Sequence, residues 1–355
     1  MTRVRSFAFA LPLCVLTLLG AGCFGDPKPA AGPDGGIFLT RDYATKWDQL
    51  KVLNLGTKLG SIAEVGTVSV AIDPQDTASM YVGTTENGLM FSLNGGQSWE
   101  LSRGLSVGRI NAISVDGKNK CTVYAARSNQ IHKTTTCGRE WGEVYAHAKP
   151  DVGVSSLMTD WFNPNIVYAG TTQGDILRSD DGAATWRVLR RVEGARINSL
   201  ALDPRDSRVM YVATEGAGVL KTVDGGANWV EYNRQQFQDY NNARSPHKVV
   251  VDPLIADRVY HISKFGILRS DDGGLAWQPL QLPTPPGEVD VKAFAINPKD
   301  SKMIVYASLN ALVMSTDGGT TWSSKKLPTK RDVPWLLFDT AAPQGLFLGT
   351  TPRTK

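Results

Sequence analysis

Asp160 is the residue whose position in this sequence most suggests catalytic chemistry. The chain repeats an apolar strand followed by an Asp-Pro or Asn-Pro turn. Three residues before the turn residue, successive repeats carry Val70, Ile113, Asp160, Leu200, Val249, Phe294 and Leu336. A single carboxyl group in an apolar column can have a raised pKa and act as a general acid. Asp160 is therefore a candidate for catalysis; the competing interpretations are a hydrogen-bonded channel residue and a one-residue error in the alignment.

Arginines form a second chemical candidate, because the planar guanidinium group binds a carboxylate through two parallel hydrogen bonds. Arg109 in GRINAIS and Arg196 in GARINSLA each stand seven residues before the aspartate of the next turn. Loops of the same class, which lead into the first strand of a repeat, also carry Arg103, Arg190, Arg191, Arg244 and Arg331. We predict that a protein partner binds through Arg109, Arg190, Arg191, Arg196 and Arg244. The competing interpretation is a solvated rim of average charge.

The longest insertion, residues 233–247, falls in the same class of loop. It carries Phe237 and Tyr240, two large side chains in an otherwise polar segment. Long loops on a rigid scaffold are common places for recognition. We therefore predict that this insertion contributes to the same binding surface.

Metal, cofactor and nucleic-acid chemistry find little support in the sequence. The four histidines, at positions 132, 147, 247 and 261, show no spacing typical of metal ligands, and no glycine-rich phosphate loop is present. Removing Arg3 and Arg5 with a leader leaves 36 of the 38 basic residues against 34 acidic ones. This near-neutral balance argues against a nucleic-acid partner. We expect no metal and no cofactor.

A short polar motif ending in tryptophan recurs along the chain and indicates the fold. Its copies end at Trp99, Trp141, Trp186, Trp229, Trp277 and Trp322, at spacings of 42, 45, 43, 48 and 45 residues. This period is typical of one four-stranded blade of a β-propeller. In the motif Ser-x-Asp-x-Gly-x-Thr-Trp, known as the Asp box, the polar side chains can bond nearby amides. We predict a structural role for Asp42, Asn94, Asp181, Asp224, Asp272 and Asp317.

The two ends of the chain complete the blade count. Residues 36–47 are a degenerate seventh copy of the motif without a preceding pair of inner strands. After Trp322, VPWLLFDT and GLFLGTT supply an inner pair without outer strands. We predict an all-β, seven-bladed propeller over residues 36–355, with its last blade formed by strands from both termini.

The N-terminus is typical of a bacterial lipoprotein. Two arginines precede an apolar stretch that ends in LLGAGC, an imperfect lipobox, which predicts a signal peptide at 1–22 and lipid on Cys23. Cleavage nearby without lipidation is the competing interpretation. Residues 23–35 are rich in proline and glycine and are expected to form a tether. The absence of aspartate after Cys23 favours the outer membrane, on the periplasmic or cell-surface side of the envelope.

Two cysteines stay within the folded part of the sequence. Cys121 opens the second strand of one repeat, and Cys137 closes the third strand of the same repeat. A hairpin that turns near Asn129 would bring them within disulfide distance. We predict a disulfide, with two buried thiols as the alternative.

The repeats resemble those of the photosystem II stability/assembly factor family of Asp-box (BNR) propellers. The resemblance rests on the shared pattern DP…YVGT…G…SxDGGxxW and covers about residues 36–351. It implies a monomeric, membrane-anchored protein that is not an enzyme and that binds or assembles a membrane-protein partner through an arginine-bearing face.

Asp-box propellers also occur in sialidases and in xyloglucan-type glycosidases, which keeps an enzymatic alternative open. The early Arg-Ile-Pro signature of sialidases is absent, and six tyrosines occupy one strand position of the repeat. Glycoside hydrolysis needs two carboxyl groups across the scissile bond, and no second one stands out beside Asp160. Hydrolysis of extracellular glycans is therefore the alternative function.

Overall fold

The structure of the chain is a computed structural model that describes residues 33–232, 236–288 and 290–353. The predicted signal peptide, Cys23 and most of the tether lie outside these residues. In the described part of the chain, no helix is long and apolar enough to cross a membrane.

The described residues form thirty strands, most of them in four-stranded sheets. The N-terminal segment contains β1 (Ile37–Thr40), β2 (Asp48–Gln49), β3 (Val52–Asn54) and β4 (Leu59–Ser61). Blade I contains β5 (Thr67–Asp73), β6 (Asp76–Thr84), β7 (Leu89–Ser92) and β8 (Glu100–Leu101). Blade II contains β9 (Ile110–Val115), β10 (Val123–Arg127), β11 (Gln130–Thr134) and β12 (Gly142–Ala146).

Blades III to V follow the same order from inner to outer strand. Blade III contains β13 (Val154–Thr159), β14 (Val167–Thr171), β15 (Asp175–Ser179) and β16 (Arg187–Arg191). Blade IV contains β17 (Arg196–Leu202), β18 (Met210–Glu215), β19 (Gly218–Thr222) and β20 (Val230–Tyr232). Blade V contains β21 (Lys248–Val251), β22 (Val259–Ser263), β23 (Gly266–Ser270) and β24 (Gln278–Pro279).

Blade VII joins the two ends of the chain. Blade VI contains β25 (Phe294–Asn297), β26 (Asp300–Ala307), β27 (Ala311–Ser315) and β28 (Ser323–Lys326). It is followed by β29 (Asp332–Phe338) and β30 (Leu346–Thr351). These two strands pair with β1 and β2 in the order β2-β1-β30-β29, with Phe38 opposite Leu348. The predicted seven-bladed propeller, closed by strands from both termini, is confirmed. Strands β3 and β4 form a separate hairpin.

Apolar side chains between neighbouring blades make up the core. Seven buried clusters each combine residues of two adjacent blades with the Asp-box tryptophan of the second blade. At the interface of blades I and II, for example, Phe91 and Val123 pack together with Trp141. Tyrosines of the second strands lie in the same interiors, and desolvation raises the pKa of Tyr81 and Tyr124 to about 12.

The antiparallel order of the blades gives the propeller two chemically different faces. Turns between first and second strands lie at the same end of each sheet as the Asp-box turns between third and fourth strands. We call this end the Asp-box face. Turns between second and third strands lie at the opposite end, with the loops that lead into the next blade. We call this opposite end the loop face.

Candidate binding site on the loop face

Asp160 belongs to the Asp-box face and caps a turn, which corrects its predicted place in an inner-strand column. Its carboxylate accepts hydrogen bonds from the backbone N–H groups of Phe162 (2.7 Å) and Asn163 (3.0 Å). Asp116 makes the matching bonds in blade II. Asp160 also precedes Tyr168 by eight residues, as Asp116 precedes Tyr124. The alignment was therefore wrong by three residues in this repeat.

The corrected alignment removes the chemical anomaly that made Asp160 a catalytic candidate. Leu157 now occupies the column three residues before the turn, so the column is apolar in every blade. The Asn-Pro pair at 163–164 resembles the first turn signal of the other repeats. Asn163 instead starts the next turn, where its side-chain oxygen accepts the N–H of Asn165. The Asp160 carboxylate satisfies backbone donors and lies on the face away from the arginines.

Each Asp box holds its turn through a recurring set of hydrogen bonds. In blade III, the Ser179 hydroxyl donates to the Asp181 carboxylate and accepts the N–H of Ala183, both at 2.8 Å. The Asp181 carboxylate also accepts the N–H of Thr185 at 2.8 Å. The same network is built by Asp42, Asn94, Asp224, Asp272 and Asp317 in their own turns. These side chains are occupied by backbone donors within their own turns.

The Asp boxes predict acid sensitivity of the fold. Hydrogen bonds from the Thr185 hydroxyl and N–H hold the pKa of Asp181 at about 2, and those from the Asn228 N–H and side chain hold that of Asp224 at about 2. Both values lie below the roughly 3.9 of an unfolded aspartate. The stabilisation is therefore complete above about pH 4 and is lost as the pH falls towards 2.

We expect Asp181→Asn together with Asp224→Asn to flatten this acid dependence. Asparagine can keep the turn, because Asn94 accepts the N–H of Ser98 at 2.9 Å in blade I. The urea midpoint of unfolding, measured between pH 5 and pH 2, should fall less steeply in the variant than in the wild-type protein. Equal slopes would show that these carboxylates do not carry the acid sensitivity.

A disulfide lies at the Asp box of blade II, where Thr136 takes the place of the Asp or Asn of the other boxes. Cys121 and Cys137 are bonded across 16 residues and join the two turns of blade II on the Asp-box face. Cys137 stands where Gly95 and Gly182 stand in other boxes, and it keeps a positive φ of 56°. The bond therefore joins covalently two corners that a backbone hydrogen bond connects in other blades, such as that from the Gly182 N–H to the Asn165 carbonyl at 2.8 Å.

Arg109 and Arg196 approach each other on the loop face. The two residues are in equivalent positions of blades II and IV, and blade III carries the small Gly153 between them. Desolvation lowers the pKa of Arg109, and the positive charge of Arg196 lowers it further. The Arg109 guanidinium donates to the Asn111 side chain at 3.1 Å. Two like charges are thus held within electrostatic reach of each other.

Arg191 and Arg196 line a cleft of about 840 Å³ between blades II, III and IV. The Asp175 carboxylate accepts two hydrogen bonds from N–H groups of the Arg191 guanidinium, at 2.5 and 3.0 Å. The Asp175 side chain is only 3% exposed, and the His147 ring nitrogen lies 3.9 Å from it. Arg196 forms no ion pair or side-chain hydrogen bond with another residue of the described ranges.

Arg244 lines a second cleft of about 690 Å³, next to the first. Glu215 lines both clefts, so the two cavities share a wall. Within the part of the chain that the structure describes, the Arg244 side chain has no ion-pair or hydrogen-bond partner. The opposite wall carries His247, whose ring bonds the Asp290 carboxylate at 2.6 Å.

The insertion that contains Arg244 is anchored by its two large side chains. Phe237 is buried against Trp277, with ring centroids 5.8 Å apart. The Tyr240 hydroxyl donates to the Trp277 carbonyl at 2.9 Å. Both residues also line the second cleft. Their main contacts fix the loop to blade V, so the polar residues around them form most of the open surface.

Arg190 lies apart from the other predicted binding residues. It pairs with Glu231 on the outer strand of blade IV, and its guanidinium lies 6.0 Å from the Trp229 ring. Adjacent strand residues point to opposite sides of a sheet, so Arg190 and Arg191 diverge. The structure thus places Arg191, Arg196 and Arg244 in neighbouring clefts, with Arg109 within electrostatic reach of Arg196, and places Arg190 outside them.

Asp175 is the residue at this site that the sequence analysis missed. The corresponding strand position in the other complete blades is occupied by Gly88, Gln130, Gly218, Gly266 and Ala311. An aspartate in a column of small or neutral residues is the signal that would have revealed it. Among the described residues, no group of three His, Cys, Asp or Glu side chains could hold a metal ion.

Solved structures of two kinds share this fold. The structure of YCF48 bound to a D1 peptide has a TM-score of 0.62 and 20% identity, covering 81% of this chain and 94% of that one. YCF48 from Cyanidioschyzon merolae has the same TM-score at 15% identity and covers 81% and 96%. The propeller is the shared feature. At these identities the similarity extends to the fold alone.

The other neighbours are glycoside hydrolases. The GH74 xyloglucanase from Xanthomonas campestris has a TM-score of 0.64 and 15% identity, covering 81% of this chain and 51% of that one. This chain therefore spans about half the length of the xyloglucanase. No protein-family model matches the sequence, and no curated protein matches it.

Proposed function

We propose that this protein is a non-catalytic binding or assembly protein whose loop face takes an acidic segment of a protein partner. The observation that carries the proposal is the state of Arg196 and Arg244. Both line adjoining clefts, and neither forms an ion pair with a side chain of the described residues. Arg109 adds a further positive charge within reach of Arg196. A ligand carboxylate would relieve this repulsion and occupy the guanidinium forks.

The size and position of the clefts support a partner that is extended. The two cavities share Glu215 and together run from the loop before blade III to the loop after blade V. Glu193 and Glu215 on their walls would repel an acidic segment in the wrong register, which favours a defined placement of the partner's carboxylates. The similarity to the structure of YCF48 bound to a D1 peptide supports a peptide ligand for such a propeller.

Paired charge reversals test the proposal. The soluble propeller, residues 33–355, would be used to capture partners from native envelope extract, with mass spectrometry as the readout. We expect a partner captured by the wild-type bait to be lost with Arg196→Glu/Arg244→Glu. Arg139→Glu is the matched control, because Arg139 is exposed on the Asp-box face and bonds only a carbonyl of its own turn. Equal recovery by both charge-reversed baits would refute the loop-face site.

Hydrolysis of extracellular glycans is the second candidate, and one observation keeps it open. Glu193 and Glu215 line the same cleft, and two carboxyl groups are what glycoside hydrolysis requires. We expect no release of reducing sugar from xyloglucan oligosaccharides above the buffer blank. Turnover by the wild-type protein that Glu215→Gln abolishes would contradict the non-catalytic proposal.

We further propose that Cys23 carries lipid and tethers the propeller to the outer membrane. The proposal rests on the leader-like sequence before Cys23 and the proline- and glycine-rich segment after it. The intact mass of detergent-extracted protein tests it. A Cys23→Ser mass that differs from the wild-type mass only by the exchange of sulfur for oxygen would exclude lipid at this residue.

A further inference from the structure

An axial channel runs between the inner strands of the blades and has a volume of about 490 Å³. Its wall has a basic part and an apolar part. Blades V and VI contribute three basic side chains, His247, Lys248 and Lys292. No aspartate or glutamate is among the described residues that line the channel. The channel is therefore positive at one side.

Lys248 is the cation of this wall that lacks a counter-charge. His247 bonds Asp290, and Lys292 lies 3.9 Å from both Asp290 and Asp332. Within the described ranges, Lys248 forms no ion pair and no side-chain hydrogen bond. Its side chain is open to the channel, while the surrounding protein atoms lower its pKa through desolvation. An anion in the channel would supply the missing counter-charge.

The position of Lys248 in its blade is unusual. Four residues before the turn aspartate, the equivalent positions in blades I to IV carry Ser69, Ala112, Ser156 and Ser199. All of these side chains are small, and only blade V places a long cation there. Lys248 therefore extends further from its strand than the side chains at the equivalent positions of blades I to IV.

Blades VII and I contribute an apolar part of the channel wall. Val68 and Val70 of blade I and Pro334 and Leu337 of blade VII line it, and each is only partly buried. Covering apolar surface that lines a water-accessible cavity with the hydrocarbon part of a ligand is favourable, because that surface is removed from water. The channel thus offers a cationic side and an apolar side to the same small molecule.

We propose that the axial channel binds a small amphipathic carboxylate, with its charged end at Lys248 and its hydrocarbon part along Val68, Val70, Pro334 and Leu337. The charge of the wall selects an anion, and the apolar wall selects one with a hydrocarbon body. The channel borders the second loop-face cleft, because His247 lines both, but Lys248 and the four apolar residues line the channel alone.

Isothermal titration calorimetry with a series of simple ligands tests the proposal. We expect octanoate to bind the wild-type propeller at least tenfold more tightly than butyrate, because four additional methylene groups reach the apolar wall. Inorganic phosphate, which has charge without hydrocarbon, and octylamine, which has the opposite charge, should bind at least tenfold more weakly than octanoate. Equal binding of phosphate and octanoate would overturn the apolar half of the proposal.

Lysine variants separate the role of Lys248 from general charge and from folding. We expect Lys248→Met to weaken octanoate at least tenfold and Lys248→Arg to retain most of the affinity. Lys326→Met is the control, because Lys326 is exposed on the outer strand of blade VI and is absent from the channel wall. Unfolding temperature checks that each variant is folded. No octanoate binding by the wild-type protein, or equal binding by Lys248→Met, would overturn the proposal.

Discussion

Replacing both Cys121 and Cys137 with serine is expected to lower the free energy of unfolding by about 3 kcal/mol. The disulfide closes a loop of 16 residues, which limits the conformations of the unfolded chain. It also joins two turns of blade II, whose Asp box has Thr136 in place of the Asp or Asn of the other boxes. Denaturant unfolding of the oxidised wild-type protein and the double variant, both in non-reducing buffer, measures the difference.

A glycine variant separates the disulfide from local backbone strain. Cys137 adopts a φ of 56°, a conformation that glycine accepts more readily than serine. We therefore expect Cys121→Ser/Cys137→Gly to recover about 1 kcal/mol relative to the double serine variant. If the unfolding free energies of the wild-type and double serine proteins agree within roughly 0.5 kcal/mol, the error of such measurements, the disulfide does not stabilise blade II.

Arg191→Ala is expected to destabilise the propeller and to lower its denaturant midpoint of unfolding. Removing one partner of an ion pair leaves the other charge uncompensated, and solvent screening of the half-exposed Arg191 guanidinium reduces this cost. The Asp175 side chain is 3% exposed and would lose both of its N–H donors from Arg191. The cost comes from a carboxylate left in a poorly solvated place.

The double variant Asp175→Asn/Arg191→Ala provides the control. Since it carries no buried charge, we expect it to unfold at a higher denaturant concentration than Arg191→Ala alone. If the two variants unfold together, the cost of Arg191→Ala lies in lost packing of its side chain. This test also matters for binding studies, because an Arg191 variant could lose a partner through a distorted cleft. Arg196 and Arg244 have no such structural partner among the described residues.

The blade architecture could be predicted from the sequence because every blade repeats the same local signals. Asp boxes, turn aspartates and strand tyrosines recur at similar offsets, so each copy supports the others. The incomplete copies at the two termini also predicted how blade VII closes. Blade III is the exception. Its turn uses Asp160, and the Asn-Pro pair three residues later imitates a turn signal of the other repeats.

The candidate site was predictable only in part, because its residues meet through the ring of blades. Arg109 and Arg196 could be matched through their common offset from a turn. Arg190 and Arg191 could not be separated without knowing which side of β16 each faces. Asp175 required a comparison of one strand position across all blades. Lys248 and the apolar channel wall come from blades that are distant in sequence, so no local sequence pattern predicts that they line one channel.

Hydrogen–deuterium exchange of the propeller with and without its captured partner tests the central claim most directly. We predict slower exchange in the loop-face segments 147–153, 192–197 and 236–247, and unchanged exchange in the Asp-box turns 179–186, 222–229 and 270–277. The Arg196→Glu/Arg244→Glu variant should show no protection at the same partner concentration. Protection confined to the Asp-box turns would contradict the account and place the partner on the opposite face.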